Sequence, residues 1–314
     1  MDNQEIVRDY IKKADLTVAS MTTYGGVLVA DQAKEFYQIA IKSQRLLQDV
    51  TFKTLKASTA EIPTIGFLSR IARRGQEGVA LSAADRAAPT TGKVSLSTVE
   101  IKCQVNLSYQ DVEDNIEGDK LPETIKTMMG AAFGRDLEDL VINGDTTSSD
   151  PLLSLLNGVV NQSTTNVVDD GVTVLAQSHF LHAVNALPDQ FQKDKSQMRF
   201  YLAPTYETKW RDIVSGRVTV LGDSAIVSAT PIPAYGVQVV PVPLFPVGLG
   251  AGTNESRGLY LDPKNILVGV WRDVMLKTQE DIQSGTWINV ARMRADVKYQ
   301  YEPAVAKITK IKLA

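Results

Sequence analysis

With 314 residues, 44% of them apolar and 22% charged, the chain can bury one large core or two lobes of roughly 150 residues each. A net charge of -3 and a pI near 5.6 exclude a protein that coats nucleic acid through a broad basic face, because phosphate binding runs on Lys and Arg. The lone cysteine, Cys103, excludes an intrachain disulfide and any paired-cysteine zinc or redox site, and it suits a reducing cytoplasm.

At the N-terminus, Asp2 and Glu5 precede any apolar run, so no secretory signal is expected. Ile6, Val7, Tyr10 and Ile11 share one helical face over residues 2 to 12. A second helix is expected from Asp31 to Leu47, with Ala33, Phe36, Tyr37, Ala40 and Ile41 as its apolar stripe. The run Thr22-Thr23-Tyr24-Gly25-Gly26 between them is a joint, so this region is expected to be an arm.

Two alternating segments follow, Ile62 to Ile71 and Val94 to Leu107, separated by a polar, Gly- and Ala-rich stretch. The second changes phase at Thr98-Val99, as one inserted bulge residue would make it do. Read as one strand of a two-stranded ribbon, it would span roughly 46 Å. An isolated ribbon of that length has two open edges and too little burial to be stable, so it is expected to lie on another subunit. The competing reading makes both segments members of a larger sheet in one domain. Cys103, in phase with Ile101 and Val105, is expected to be a small buried residue.

The clearest helix starts at Pro122-Glu123, carries Ile125, Met128, Met129, Phe133, Leu137, Leu140 and Val141 at three- and four-residue steps, and stops at Asn143-Gly144. Gly130 and Gly134 within it suit close approach of a neighbouring backbone. From Val172 to Ser256 the elements are short and mixed: a helix from Leu175 to Leu187, a strand from Arg199 to Ala203, a helix from Pro204, and a strand from Val237 to Val240. Five prolines between Pro231 and Pro246 rule out a membrane span there. Strands are expected at Ile266 to Val270, Val274 to Thr278 and Ala291 to Tyr301. In the last, Ala291, Met293, Ala295, Val297, Tyr299 and Tyr301 face a core, while Arg292, Arg294, Asp296, Lys298, Gln300 and Glu302 face solvent.

Catalytic chemistry has little to work with. His179 and His182 are the two histidines, at i and i+3 without a third ligand nearby, and are read as a solvated or hydrogen-bonded pair. Thr91-Gly92-Lys93 lacks the Ser or Thr and the first Gly of a phosphate loop, and Gly248-Leu249-Gly250-Ala251-Gly252 is followed by a strand instead of a helix, so it reads as a surface loop. The acidic groups Asp111, Glu113 and Asp114, and Asp136, Glu138 and Asp139, are read as solvated faces. No catalytic, cofactor or metal site is expected. The alternating charges Arg70, Arg73, Arg74, Glu77, Asp85 and Arg86 near the ribbon tip are the candidate subunit-interface residues.

The order of parts resembles the HK97-fold major capsid proteins of tailed bacteriophages. The stretches that carry the resemblance are Val99 to Asp145 with Ser108-Tyr109-Gln110-Asp111, then Leu156-Asn157-Gly158-Val159, Tyr201-Leu202-Ala203-Pro204 before a helix with Trp210, the strand Tyr235 to Val240, and Trp287 to Ile308 with Glu302-Pro303. The resemblance implies an α+β, HK97-type capsid fold with an N-terminal arm (1-50), an extended E-loop β-hairpin (51-108), a P domain with the long spine helix (109-165 and 262-314) and an A domain (166-261). It implies self-assembly into pentamers and hexamers of an icosahedral virion shell enclosing double-stranded DNA without sequence-specific binding. It also implies portal and scaffolding proteins as partners, a decoration protein as a further one, and synthesis in a host bacterial cytoplasm. Members that cross-link covalently share an E-loop Lys and a P-domain Asn and Glu. Here no Lys lies between Lys56 and Lys93, and the other two positions read Thr286 and Met293, so a non-covalent shell is expected. Scaffolding is expected as a separate protein or a removed segment. The alternative within the same fold is an encapsulin-type nanocompartment shell.

Overall fold

The computed structural model describes residues 44–66, 72–74, 77, 78, 80, 82, 90–110, 121–217, 220–227, 230–250, 252 and 254–313. In chain order these form α1 (Arg45–Asp49), β1 (Thr51–Thr54), β2 (Thr59–Gly66), β3 (Thr90–Ser97), β4 (Val99–Ser108), α2 (Leu121–Asn143), α3 (Val159–Gln162), β5 (Asn166–Val174), α4 (Gln177–Ala186), β6 (Arg199–Leu202), α5 (Pro204–Ser215), α6 (Val220–Val227), β7 (Pro233–Ala234), β8 (Val237–Pro241), β9 (Glu255–Leu261), β10 (Ile266–Asp281), β11 (Thr286–Tyr299) and β12 (Val305–Lys312). No described helix is long and apolar enough to cross a membrane. The expected helix at residues 2 to 12 lies outside the described residues, as does the expected helix from Asp31 up to residue 43.

Three sheets organise the strands. A four-stranded sheet has the order β1-β10-β11-β4, a six-stranded sheet the order β5-β12-β9-β6-β8-β7, and β2 pairs only with β3. In the first, β1 runs parallel to β10 while β10, β11 and β4 are antiparallel. The two strands expected at Ile266 to Val270 and Val274 to Thr278 are one long strand, β10. Its pairing shifts register between Val270 and Arg272 and again between Arg272 and Met275, which is why the apolar phase breaks there in the sequence.

Helix α2 is the long rod expected from its apolar spacing. Its Met129, Phe133, Leu137, Leu140 and Val141 join one buried cluster with Ile101 of β4 and with Ala291, Met293, Ala295 and Val297 of β11. Each of the larger side chains among them contributes about 1.5–3 kcal/mol through removal from water. Gly144 ends the helix and meets Gly158 backbone to backbone: its amide donates to Leu140 O at 3.0 Å, and the Gly158 amide donates to Gly144 O at 2.8 Å. A Cβ on Gly144 would sit 2.5 Å from Leu156 O, and one on Gly158 would sit 2.5 Å from Ile142 O, so only glycine fits either position.

The six-stranded sheet carries the densest core. Phe200 of β6 stacks on Tyr260 of β9 at 4.6 Å, and Phe180 of α4 meets Phe200 edge-on at 5.0 Å and Trp210 of α5 at 4.8 Å, arrangements that add to plain burial. Strand β12 lies between β5 and β9, so the C-terminal strand pairs within the six-stranded sheet and not the four-stranded one. The parallel β12–β5 pair accounts for this, because its register brings Ala306 opposite Asn166.

Candidate assembly surface

The chain that rises from the four-stranded sheet as β2 and returns as β3 is paired over eight residues, Thr59 opposite Ser97 through Gly66 opposite Thr90. Glu61, Pro63, Gly92, Lys93 and Ser95 are exposed on it, and Lys93 Nζ reaches Glu61 Oε1 across the strands at 2.7 Å. Leu96 alone among the described ribbon side chains is fully buried. The Thr91-Gly92-Lys93 run is therefore strand and no phosphate loop.

The expected single strand from Val94 to Leu107 is corrected by this arrangement. It is two strands, broken at Thr98, and the phase change in the sequence marks the point where the chain leaves the ribbon and enters the sheet against β11. There Ile101 pairs with Met293 and Leu107 with Trp287. β4 is a member of the larger sheet, while β2 and β3 pair only with each other.

The ribbon is fixed at its root by two devices. Leu55, Leu96 and Leu267 form a separate small core beneath it, and it needs Gly269, where an added Cβ would lie 3.0 Å from both Leu55 Cδ1 and Leu96 Cδ1. Beside it the Ser97 amide donates to Asp296 Oδ2 at 2.7 Å and the Val297 amide to Asp296 Oδ1 at 2.8 Å. At the break itself the Thr98 amide and hydroxyl both donate to Ser58 O, each at 2.9 Å.

Asp296 was expected on the solvent face of β11 and is buried at 5% exposure, because the ribbon root covers it. Burial pushes its carboxyl above the ordinary aspartate value against the pull of the Ser97 amide. The rest of that face behaves as expected. Arg294 Nη2 lies 3.4 Å from Glu100 Oε2 and its guanidinium sits 4.8 Å over the Trp271 ring.

Glu138 is the second correction, since it is 1% exposed and not on a solvated face. Its Oε1 accepts the Leu46 amide at 2.5 Å, and the Leu47 amide also points at it, so the carboxylate satisfies the first free amides of α1 as an N-cap side chain would. Burial raises its pKa and those amides lower it, burial prevailing. Gln44, just before α1, is extended at φ -110 and ψ 142, so a helix running unbroken from Asp31 to Leu47 does not occur.

Of the candidate interface charges, Arg73, Arg74 and Glu77 are exposed, while Arg70, Asp85 and Arg86 lie outside the described residues, as do Asp111, Glu113 and Asp114. Cys103 is half-buried on β4, and burial raises its thiol pKa, with Asp136 adding to the effect. His179 is buried, with Nδ1 3.1 Å from the Ala176 amide and Nε2 3.0 Å from Thr173 Oγ1; His182 Nδ1 lies 2.8 Å from Asp170 Oδ1. They are hydrogen-bonded separately, and no group of three metal-ligating side chains occurs among the described residues. In the glycine-rich stretch the Leu249 and Glu255 backbones bond to each other, at 2.9 and 3.1 Å.

The most exposed large apolar side chains among the described residues are Ile226 and Val227 on α6, at 76% and 86% exposure, and Ile282 in the β10–β11 turn, at 82%. Near that turn Tyr109 donates its hydroxyl to Glu280 Oε1 at 2.5 Å and packs edge-on to Trp287.

Solved structures with the same fold are viral and virus-like shells. The procapsid of satellite phage P4 with its size determination protein aligns at a TM-score of 0.68, with 14% identity over 99% of this chain and 98% of that one. The capsid of an empty GTA particle aligns at 0.60, with 14% identity over 86% and 90%. The SrpI encapsulin of Synechococcus elongatus PCC 7942 aligns at 0.56, with 9% identity over 86% and 88%. The fold is that of the HK97-type shell proteins. No family model matches the sequence. A Bacillus subtilis (strain 168) protein named as a prophage capsid protein, YqbE, is 35% identical over 316 residues, covering 99% of this chain and all of that one. The chain belongs to the family of that phage capsid protein.

Proposed function

We propose that the chain is a phage major capsid protein whose copies assemble into the pentamers and hexamers of an icosahedral shell around double-stranded DNA. The observation that carries this reading is the β2–β3 ribbon. Over eight residue pairs β2 and β3 bond only to each other with Leu96 as their one fully buried described side chain, and a free two-stranded ribbon is marginal in water. A sister subunit beneath it supplies the missing burial.

In this reading residues 1–50 are the arm, β2 and β3 the E-loop, α2 with the four-stranded sheet the P domain, and the six-stranded sheet with α4 to α6 the A domain. The exposed α6 side chains meet their copies at the capsomer centre, and Arg73, Arg74 and Glu77, with Arg70, Asp85 and Arg86, pair with charges on a neighbour. The role is structural and not catalytic. The shell holds without covalent cross-links, since no Lys lies between Lys56 and Lys93 and Thr286 and Met293 carry neither the amide nor the carboxylate that such a bond needs. A portal and a scaffolding protein complete the particle, which is built in the bacterial cytoplasm; a decoration protein is a further candidate partner.

Electron microscopy of the purified full chain tests this. Closed particles or capsomer rings are expected, and a chain that stays monomeric at high concentration overturns the proposal. Particles from an infected or induced cell filled with enzyme instead of DNA would move the chain to the encapsulin-type alternative.

A further inference from the structure

One carboxyl group is sealed under the root of the ribbon. Asp296 is 5% exposed, and among the described residues its two oxygens accept backbone amides alone, Oδ2 from Ser97 at the end of β3 and Oδ1 from Val297. Gly269 stands opposite it on β10, and the space where a side chain would lie there is taken by Leu55 and Leu96, both buried. The carboxyl group therefore has hydrocarbon on the side that the ribbon closes. Leu55 and Leu96 belong to the root, so lifting the root lets water in.

Among the described residues no cation bonds to Asp296. Lys298, two residues on and on the same face of β11, is half-buried and attracts the charged form without touching it. Arg294, two residues back, is engaged by Glu100 at 3.4 Å. On the ribbon Lys93 is held by Glu61 at 2.7 Å, and Lys53 and Lys56 on either side of Leu55 are exposed. A carboxylate buried without a paired cation is costly. Here burial outweighs both amides and Lys298, so the group keeps its proton to a pH above the ordinary aspartate value.

We propose that the root of the ribbon is a proton-operated latch, which seats on the sheet with a proton on Asp296 and loosens when that carboxyl group is ionised. With the root lifted, Asp296 faces water and titrates at about 3.9; with the root seated it titrates higher. Seating therefore takes up a proton at any pH between the two values. The seated fraction grows as pH falls through the seated value and levels off below the ordinary one. Above both values the carboxylate is charged in either position, and the cost of covering it is complete. The inference concerns the root alone and stands whether or not the ribbon goes on to cover a sister subunit.

Hydrogen exchange of the full chain between about pH 7 and about pH 4, the side of the ordinary aspartate value on which the seated form titrates, tests it by mass spectrometry with rates corrected for the intrinsic rate at each pH. Protection of peptides covering Thr59 to Gly66 is expected to rise on acidification, approaching ten-fold per pH unit where it is steepest. Asp296→Asn, which cannot ionise, is expected to show the acid level of protection throughout. Lys298→Gln removes the attraction that favours the charged form, so it is expected to move the rise to higher pH, and it carries the test if Asp296→Asn does not fold. Assembly on acidification would raise the wild type and Asp296→Asn alike, so the difference between them reads the latch apart from the capsid reading. Wild-type protection that is flat or falls with acid, an Asp296→Asn chain that keeps the rise, or a rise that Lys298→Gln leaves in place each overturns the proposal.

Discussion

The ribbon and the six-stranded sheet are both β-structure from one chain, yet they are stabilised in opposite ways. Strands β6, β8 and β9 bury Phe200, Tyr201, Val237, Val239, Leu259 and Tyr260 almost completely, so that sheet is stable by its own packing. The ribbon has backbone pairing, an exposed ion pair worth at most about 1 kcal/mol, and a root. Hydrogen-bonded strands define where a chain can go, and burial decides whether it stays there alone. The contrast separates a part of the molecule that folds from a part that waits for a partner.

The largest effect that would break this contrast is in the aromatic cluster. Phe200→Ala is expected to destabilise the subunit by about 3–5 kcal/mol, read as a lowered midpoint in chemical denaturation with every probe moving together. Leu96→Ala removes the central side chain of the small core under the ribbon. It is expected to cost about 2–4 kcal/mol locally, so that amides of Thr59 to Gly66 lose protection in hydrogen exchange while those of Tyr201 and Leu259 keep theirs. Equal loss in both regions would show that the ribbon and the sheet are one cooperative unit.

A third test uses pH. Glu302 accepts the Thr164 and Thr165 amides at 2.7 and 2.8 Å and also the Thr165 hydroxyl. Burial alone would raise its pKa, but these hydrogen bonds outweigh it and the value is lowered. A carboxylate with a lowered folded pKa contributes stability above its ordinary value near 4.3, and that contribution is lost as pH falls through the folded value. Glu302→Gln is therefore expected to cost roughly 1–2 kcal/mol near neutral pH, at the lower end because the site is partly exposed. In urea denaturation the gap to the wild type should close as pH falls below that range. The smallest effect on folding is at the tip: Arg73→Glu with Arg74→Glu is expected to change subunit stability by less than about 0.5 kcal/mol while altering the salt dependence of assembly, followed by light scattering.

The elements that the sequence announced are those whose pattern is local. Helix α2 was bounded to within a residue by Pro122 and Asn143-Gly144, and the alternation of β11 placed Ala291 to Tyr299 on the core side. What was hidden depends on residues far away in the chain. Asp296 has the same signature as the exposed Arg292 and the half-buried Arg294, and only the ribbon root at Ser97, 199 positions away, takes it out of solvent. Glu138 sits in an acidic run that reads as surface until the Leu46 amide, 92 positions away, is brought against it. The phase change at Thr98 was visible, but a bulge and a change of sheet produce the same pattern in one dimension.

That junction has a mechanical meaning. One residue, Thr98, separates the last ribbon pair at Ser97 from the first sheet pair at Val99, and its amide and hydroxyl are both tied to Ser58. The connection has no slack, so a load applied to the outer ribbon passes directly into β4 and from there across β11 to β10. A tug from outside is felt by the whole four-stranded sheet instead of being absorbed in a loose tether.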